Sequence, residues 1–137
     1  MKTDPTCLFC KIISGQIPAA KVYEDENTLA FLDIHPNSKG HTLLVPKDHI
    51  SNLASPDATK EILGTLMERV QKVMHAQVTG LRAERSIILI EGELVPHLHV
   101  HVIPKYRDIK LKIGDHISYE NDTEIENTKN LLAETLK

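Results

Sequence analysis

The spacing of apolar residues predicts one long helix in the middle of the chain. Between residues 56 and 80, apolar side chains recur at the spacing of an amphipathic helix. These residues are Ile62, Leu66, Val70 and Val73. Ser55 is the expected N-cap, Pro56 the first helical residue and Gly80 the end of the helix. We therefore expect a helix with one apolar face, turned toward the core.

Short segments rich in β-branched and aromatic residues predict five strands. We place these strands at residues 20–24, 28–34, 41–47, 86–90 and 97–103. The sequence Asp25-Glu26-Asn27 favours a turn, so the first two strands are expected to form a hairpin.

Shorter helices are predicted at the two ends of the chain. One covers residues near 7–15, and another starts near Asn121, with Glu124 in the position of a capping box. Strands and helices do not alternate as βαβ units, so the sheet should be mainly antiparallel. The fold class is therefore α+β, a five-stranded sheet with one long helix and short N- and C-terminal helices.

Three histidines alternate with apolar residues in the last predicted strand. Successive strand side chains point to opposite faces, so His97, His99 and His101 should share one face. Three interpretations are open: a histidine row without function, a metal site, and nucleophilic attack on phosphorus by a neutral imidazole. A row without function is disfavoured, because crowding three protonatable rings on one face brings no structural gain, and a metal site would need a fourth ligand or water. Nucleophilic catalysis is favoured.

Composition and charge limit the classes of protein to consider. With 137 residues, 41% of them hydrophobic and 26% charged, the chain is expected to form one domain over residues 1–137. A net charge of -3 disfavours an extended nucleic-acid surface. Apolar runs are too short to span a membrane, and no signal-peptide pattern follows Met1, so we expect a cytoplasmic protein with no membrane partner.

The two cysteines of the chain, Cys7 and Cys10, form a CxxC pair. This spacing lets one turn present both sulfurs to a tetrahedral zinc ion. Two alternatives remain open: a redox dithiol, which normally follows a strand in a βαβ unit, and two buried small hydrophobic side chains.

Four further segments have a recognisable pattern, and with the triad they cover nearly all of residues 7–107. They are Cys7-Leu8-Phe9-Cys10-Lys11-Ile12-Ile13, Val22-Tyr23-Glu24-Asp25, Phe31-Leu32-Asp33-Ile34 and Gly40-His41-Thr42-Leu43-Leu44-Val45-Pro46-Lys47. On these residues the chain resembles the histidine triad (HIT) superfamily of nucleotide hydrolases and transferases. A motif-bearing core at 7–107 would then carry a C-terminal extension with a helix at 108–137.

The resemblance implies roles for the triad. His99 is the nucleophile on the α-phosphate, and His101 contacts the phosphate and the oxygens of the leaving group. His97 orders the site, because its backbone carbonyl fixes the tautomer of His99.

The resemblance also implies a homodimer that binds a purine nucleotide against the sheet of each subunit. It places Asp33 on the ribose hydroxyls and His41 near the triad. The residues around the base would be Leu8, Phe9, Ile12, Phe31 and Ile34. In the zinc-bearing members of the superfamily, His49 and His97 complete a structural site with Cys7 and Cys10.

The function expected from these observations is a nucleotidyl hydrolase or transferase. It would cleave an adenine nucleotide, such as a phosphoramidate or a dinucleoside polyphosphate, through a covalent nucleotidyl-His99. Glu93 and Leu94 depart from the family pattern, since Glu93 stands where a glutamine would contact phosphate. The departure at Glu93 keeps one alternative open, a nucleotide-binding interaction protein with little turnover. A third possibility is a zinc-stabilised module without nucleotide affinity.

Overall fold

The computed structural model describes residues 1–92 and 94–137. Helix α1 covers Leu8–Ile13, the long helix α2 covers Lys60–Gly80 and the last helix α3 covers Asp122–Thr135. The strands are β1 (Lys21–Glu24), β2 (Thr28–Leu32), β3 (Thr42–Pro46), β4 (Arg85–Leu89) and β5 (Val100–Lys105). No helix in this part of the chain has both the length and the hydropathy to cross a lipid bilayer.

The strands form one sheet in the order β1-β2-β3-β5-β4, and every neighbouring pair is antiparallel. The predicted α+β class and the hairpin of the first two strands are therefore confirmed. The triad strand β5 lies between β3 and β4, with Leu43 opposite His101 and Leu89 also opposite His101. The histidine segment therefore lies inside the sheet, one strand from its β4 edge.

The alternation of side chains divides the sheet residues between two cores. One face packs against α2 and α3 through Ala30, Leu44, Leu98, Val100 and Val102. The other face packs against α1 through Phe9 and Ile12 on the helix and Leu29, Phe31, Leu43 and Val45 on the strands. Burial of both faces explains why β2 and β3 contain no exposed residue.

The start of α2 differs from the prediction. Ser55 and Pro56 lie in turns before the helix, and Thr59 is the N-cap, because its Oγ1 accepts a hydrogen bond from the backbone N–H of Ile62 at 3.3 Å. Both Ser55 and Thr59 have a hydroxyl suited to capping, and the sequence pattern did not separate them. The predicted end at Gly80 is confirmed.

The histidine segment also differs in its bounds, since the ladder of β5 begins at Val100 instead of His97. His97 and Leu98 are held by loop contacts: the backbone N–H of Leu98 donates to the carbonyl of Ile50. Leu98 nevertheless faces the same core as Val100 and Val102, so the alternation of side chains extends through the segment. The predicted sharing of one face by the histidines depends on this alternation.

The segment between β5 and α3 packs along the loop that precedes β3. Asn37 donates its side-chain amide to the carbonyls of Lys112 and Asp115, and the hydroxyl of Tyr119 accepts the backbone N–H of Gly40. Helix α3 then begins with Asn121 as its N-cap, as predicted. The C-terminal extension therefore holds the loop from Pro36 to Gly40 in place.

Candidate active site

Side chains from three neighbouring strands meet on the face of the sheet that carries α1. Asp33 follows β2, His41 precedes β3 and His101 lies on β5, next to the buried His99. Leu43 and His101 are opposite each other in the register, so residues of the same parity meet across the strands. The period of two residues along a strand is the reason these polar groups converge.

His99 is fixed in one orientation by a backbone hydrogen bond. Its Nδ1 lies 2.6 Å from the carbonyl oxygen of His97. Because a carbonyl can only accept, Nδ1 carries the proton and the lone pair of the neutral ring is on Nε2. His99 is 4% exposed, and the edge of the Phe9 ring packs against it with centroids 5.1 Å apart. This arrangement presents a desolvated imidazole nitrogen with a free lone pair.

Two successive hydrogen bonds fix the proton positions of His41 and His101. The backbone N–H of Asn37 donates to Nδ1 of His41 at 3.0 Å, so the proton of the neutral His41 ring is on Nε2. His41 Nε2 lies 2.9 Å from Nδ1 of His101, which must therefore accept. The proton of the neutral His101 ring is then on Nε2, a buried atom that has no protein hydrogen-bond partner among the described residues.

Burial keeps both of these rings neutral near pH 7. Burial lowers the pKa of His41 to about 4, although the carboxylate of Asp33 acts in the opposite direction. Burial likewise lowers the pKa of His101, and the neighbouring His99 adds to the effect. Asp33 lies 3.5 Å from His41 Nε2 and 3.8 Å from His101 Nδ1. The site therefore presents one nitrogen lone pair, on His99, and one N–H donor, on His101.

The residues expected around a base occupy two environments. Phe9, Ile12 and Phe31 are buried together, and the rings of Phe9 and Phe31 meet edge to face at 5.6 Å. Leu8 is 44% exposed on the first turn of α1, and Ile34 is 85% exposed just after Asp33. The structure therefore leaves two large apolar side chains of this set open to solvent.

The four residues expected to bind zinc come together on one side of α1. Cys7, Cys10, His49 and His97 each offer a ligand atom, and these atoms lie within 4.8 Å of one another. His97 Nδ1 is 3.4 Å from Cys7 Sγ and 3.6 Å from Cys10 Sγ, and His49 Nδ1 is 3.4 Å from Cys10 Sγ. Tetrahedral coordination with the usual Zn–S and Zn–N bond lengths gives an S to N distance of about 3.6 Å. The donor set fits zinc.

Outer contacts orient the two histidines of this cluster. His97 Nε2 lies 2.9 Å from the carbonyl of Pro46, so it donates and leaves Nδ1 free to bind a metal. His49 Nε2 faces the carboxylate of Asp4 at 3.9 Å. Cys7 also caps α1, because its sulfur accepts the backbone N–H of Cys10. The cluster joins α1, the loop after β3 and the triad segment.

Three groups that shape the site were not predicted from the sequence. Asn37 acts through its backbone N–H, which every residue but proline has. Gln77 reaches from α2 to the carbonyls of Gly40 and Val102. Glu91 places a carboxylate oxygen within 4.8 Å of ring nitrogens of His99 and His101. Gln77 contacts carbonyls 37 and 25 residues away in the chain, so no local pattern marks it.

Glu93 and Leu94 are the two residues at which the sequence departs from the pattern of the family. Glu93, which was expected to replace a phosphate-binding glutamine, lies outside the described residues. Leu94 is 85% exposed.

Comparison with known proteins identifies the family. The model of the HIT domain matches residues 14–108. The chain belongs to the HIT family. Among similar proteins, "Protein hit" of Bacillus subtilis is 45% identical to this HIT protein over 105 residues, which are 73% of this chain and 71% of that protein. An adenosine 5'-monophosphoramidase, hnt1 of Schizosaccharomyces pombe, is 38% identical over 102 residues, 73% of this chain and 74% of the relative.

Solved structures lead to the same family. A Zn-bound histidine triad family protein from Mycobacterium smegmatis superposes with a TM-score of 0.85 at 34% identity, covering 96% of this chain and 93% of that one. The predicted resemblance and the HIT fold are thus confirmed. At the level of the family, the expectation of a nucleotide hydrolase is confirmed as well.

Proposed function

We propose that this HIT protein cleaves an adenine nucleotide at its α-phosphate through a covalent nucleotidyl-His99 intermediate. The observation that carries the proposal is the 2.6 Å hydrogen bond from His99 Nδ1 to the carbonyl of His97. It leaves Nε2 as the nucleophilic atom, and the positive charge that the ring acquires on attack is stabilised by the same carbonyl. The S. pombe relative named as a monophosphoramidase supports a nucleotide with a P–N bond as substrate.

The reaction consists of two displacements at phosphorus. In the first, His99 Nε2 forms a bond to the α-phosphorus, and the bond to the leaving group breaks as that group takes up a proton. In the second, water attacks phosphorus, the bond to His99 breaks and water gives up one proton. Proton uptake and release therefore balance over one hydrolysis.

His101 and His41 supply the polar environment for this reaction. The Nε2–H of His101 donates to the oxygens of the phosphoryl group or to the leaving atom, where negative charge develops. His41 is a positioning residue, because its Nε2–H holds Nδ1 of His101 and so keeps the proton of His101 on the side of the substrate. A prearranged donor of this kind needs no net positive charge on the protein.

The nucleoside is proposed to lie toward α1 and β2. Asp33, which ends β2, binds the ribose hydroxyls. The base lies against the exposed side chains of Leu8 and Ile34, supported from below by the buried Phe9, Ile12 and Phe31. Covering the exposed leucine and isoleucine side chains with an aromatic base removes apolar surface from water. This burial is favourable and supports the placement.

We also propose that Cys7, Cys10, His49 and His97 hold a structural zinc ion. The spacing of the donors and the Zn-bound relative from M. smegmatis support this proposal. When bound, the ion would fix α1 to the triad segment, because it would cross-link the Cys7–Cys10 pair to His49 and His97, which are distant in sequence. Elemental analysis of protein purified without chelators should give one zinc per chain, and the C10S variant should lose it. A full zinc content in C10S would contradict the ligand assignment.

We propose that the protein forms a homodimer through its exposed edge strand β4. Strand β4 pairs with β5 on one side, and Ile87, Ile88 and Ile90 are each more than a third exposed. An edge strand with exposed apolar side chains favours association with another chain, here a second copy. Light scattering should give twice the mass of one chain, and the I88K variant should give the mass of a monomer.

The protein is proposed to work in a reducing compartment such as the cytoplasm, which suits its two free thiols.

The decisive experiment measures AMP release from adenosine 5'-phosphoramidate and from dinucleoside polyphosphates. The wild type should turn over at least the phosphoramidate, and H99A should show no turnover. H75A is the matched control, because His75 is an exposed histidine on α2, and it should keep full activity. Turnover by H99A at a rate near that of the wild type would refute the nucleophile.

Two further observations complete the test. Acid quenching during turnover should trap AMP bound covalently to the wild type and not to H99A. If neither protein releases AMP but AMP raises the melting temperature, the interaction-protein alternative holds instead.

A further inference from the structure

A cavity of about 380 Å³ lies beside His99, next to the end of β4. The loop residues Asn52, Leu53 and Ala54 line one wall, and Ile90, Glu91 and Gly92, which follow β4, line another. In the strand order, β2 with Asp33 and β4 with these residues are on the two sides of β3 and β5. With the nucleoside toward β2, the cavity is the space left for the group that departs from phosphorus.

The charge of this cavity is set by Glu91. Its carboxylate and the ring nitrogens of His99 and His101 lie within 4.8 Å of one another. No lysine or arginine lines the described part of the cavity. The remaining wall includes Leu53 and Ile90, which are apolar, and Asn52. A leaving group in this cavity therefore meets hydrocarbon and one negative charge.

We infer that Glu91 selects the leaving group by charge, so that the substrates are phosphoramidates of uncharged or cationic alkyl amines. This inference rests on the proposed function, whose substrate it narrows. In the first displacement the P–N bond breaks and the amine nitrogen takes up a proton. One proton gives the neutral amine, which takes up a second proton from water near pH 7 and becomes cationic. The carboxylate of Glu91 attracts this cation, and the apolar wall contacts its carbon chain.

The same reasoning disfavours dinucleoside polyphosphates. Their leaving group is a nucleoside phosphate with at least two negative charges, which Glu91 repels and which no cation of the described cavity compensates. Like charges at such short distance cost free energy even where water screens them. Glu91 is thus proposed as a specificity residue, separate from the groups that attack phosphorus.

Three substrates of nearly equal shape test the inference. They are the adenosine 5'-phosphoramidates of butylamine, of 1,4-diaminobutane and of 4-aminobutyrate, whose leaving groups differ chiefly in carrying no charge, a cation or an anion at the far end. For the wild type, kcat/KM should be highest for the diaminobutane substrate and lowest for the aminobutyrate substrate. In E91Q the ratio between these two should fall by about fivefold to tenfold, the size expected for one largely solvated charge pair.

A control variant and a salt titration show whether the charge of Glu91 causes the difference between the substrates. E26Q removes an exposed carboxylate in the turn between β1 and β2 and should leave all three kcat/KM values unchanged. The ratio for the wild type should also shrink at high salt, because the interaction is electrostatic. Turnover by the wild type and E91Q with the same ratio would overturn the role of Glu91 alone. Absence of turnover by the wild type with all three substrates would overturn the proposed function and this inference together.

Discussion

Gln77 offers the sharpest test of how the fold supports the site. This residue of α2 is fully buried, and its Nε2 donates to the carbonyls of Gly40 at 3.1 Å and Val102 at 2.9 Å. Its Oε1 accepts from the hydroxyl of Ser86 on β4. Gly40 directly precedes His41, so one amide side chain joins the long helix to the loop and strands that carry the histidines. The Q77M variant keeps the length of the side chain and removes all three hydrogen bonds.

The expected loss of stability follows from the number of bonds. One hydrogen bond contributes about 0.5 to 1.5 kcal/mol net, so three contribute roughly 1.5 to 4.5 kcal/mol. Two carbonyls stay behind in a buried site, which places the expected loss near the middle of this range, at about 3 kcal/mol. Domains of this size have unfolding free energies of about 5 to 15 kcal/mol. Q77M should therefore fold but lose a large fraction of its stability.

Urea denaturation followed by far-UV circular dichroism is the assay. With a slope of about 1 to 3 kcal/mol per molar urea, the midpoint of Q77M should fall by at least about 1 M, at an unchanged slope. S86A is the control, because it removes only the bond to Oε1 and should cost about 1 kcal/mol. A loss in Q77M no larger than that in S86A would refute the role assigned to the two carbonyl contacts.

Three other predictions follow from single contacts. Burial raises the pKa of Asp25, but hydrogen bonds, led by that from Arg69, outweigh burial and lower the pKa to about 2. Because the pKa is lower in the folded than in the unfolded state, ionised Asp25 stabilises the fold. This stabilisation is complete above about pH 4 and is lost as the pH falls through about 2. R69M should thus lower the urea midpoint at pH 7 and have a smaller effect at pH 3. N121A, which removes the N-cap of α3, should cost about 1 kcal/mol in the same assay and leave AMP release unchanged. H41L should lower kcat for AMP release about tenfold or more, and H41Q, which keeps an N–H near His101, should recover part of it; equal rates for these two variants would contradict the tautomer argument.

Much of the fold followed from the sequence because its signals are local. The hairpin across Asp25, the end of α2 at Gly80 and the cap at Asn121 each depend on neighbours a few residues away. The start of α2 was wrong, because Ser55 and Thr59 can both cap a helix and only the packing of the preceding turns decides between them. The single-domain prediction for residues 1–137, with its core and extension, stays a prediction.

The candidate site also has features that the local sequence predicts and others that it does not. The period of two residues placed His97, His99 and His101 on one face, and the CxxC spacing placed Cys7 beside Cys10; both are properties of a few adjacent residues, so the sequence by itself determined them. The resemblance to the HIT family added His49 to the cysteine pair, and the structure brings all four donors together.

Only the tertiary structure decided which ring nitrogens of His41 and His101 carry the proton, and therefore which atom can donate to the substrate. That depends on the N–H of Asn37, 4 residues from His41, and on the contact of His41 with His101, 60 residues away. The same is true of Glu91, whose carboxylate reaches the histidines because β4 pairs with β5. Hydrogen bonds depend on distances of tenths of an ångström between elements, and such distances are set when the sheet and helices pack, not by the order of residues along the chain.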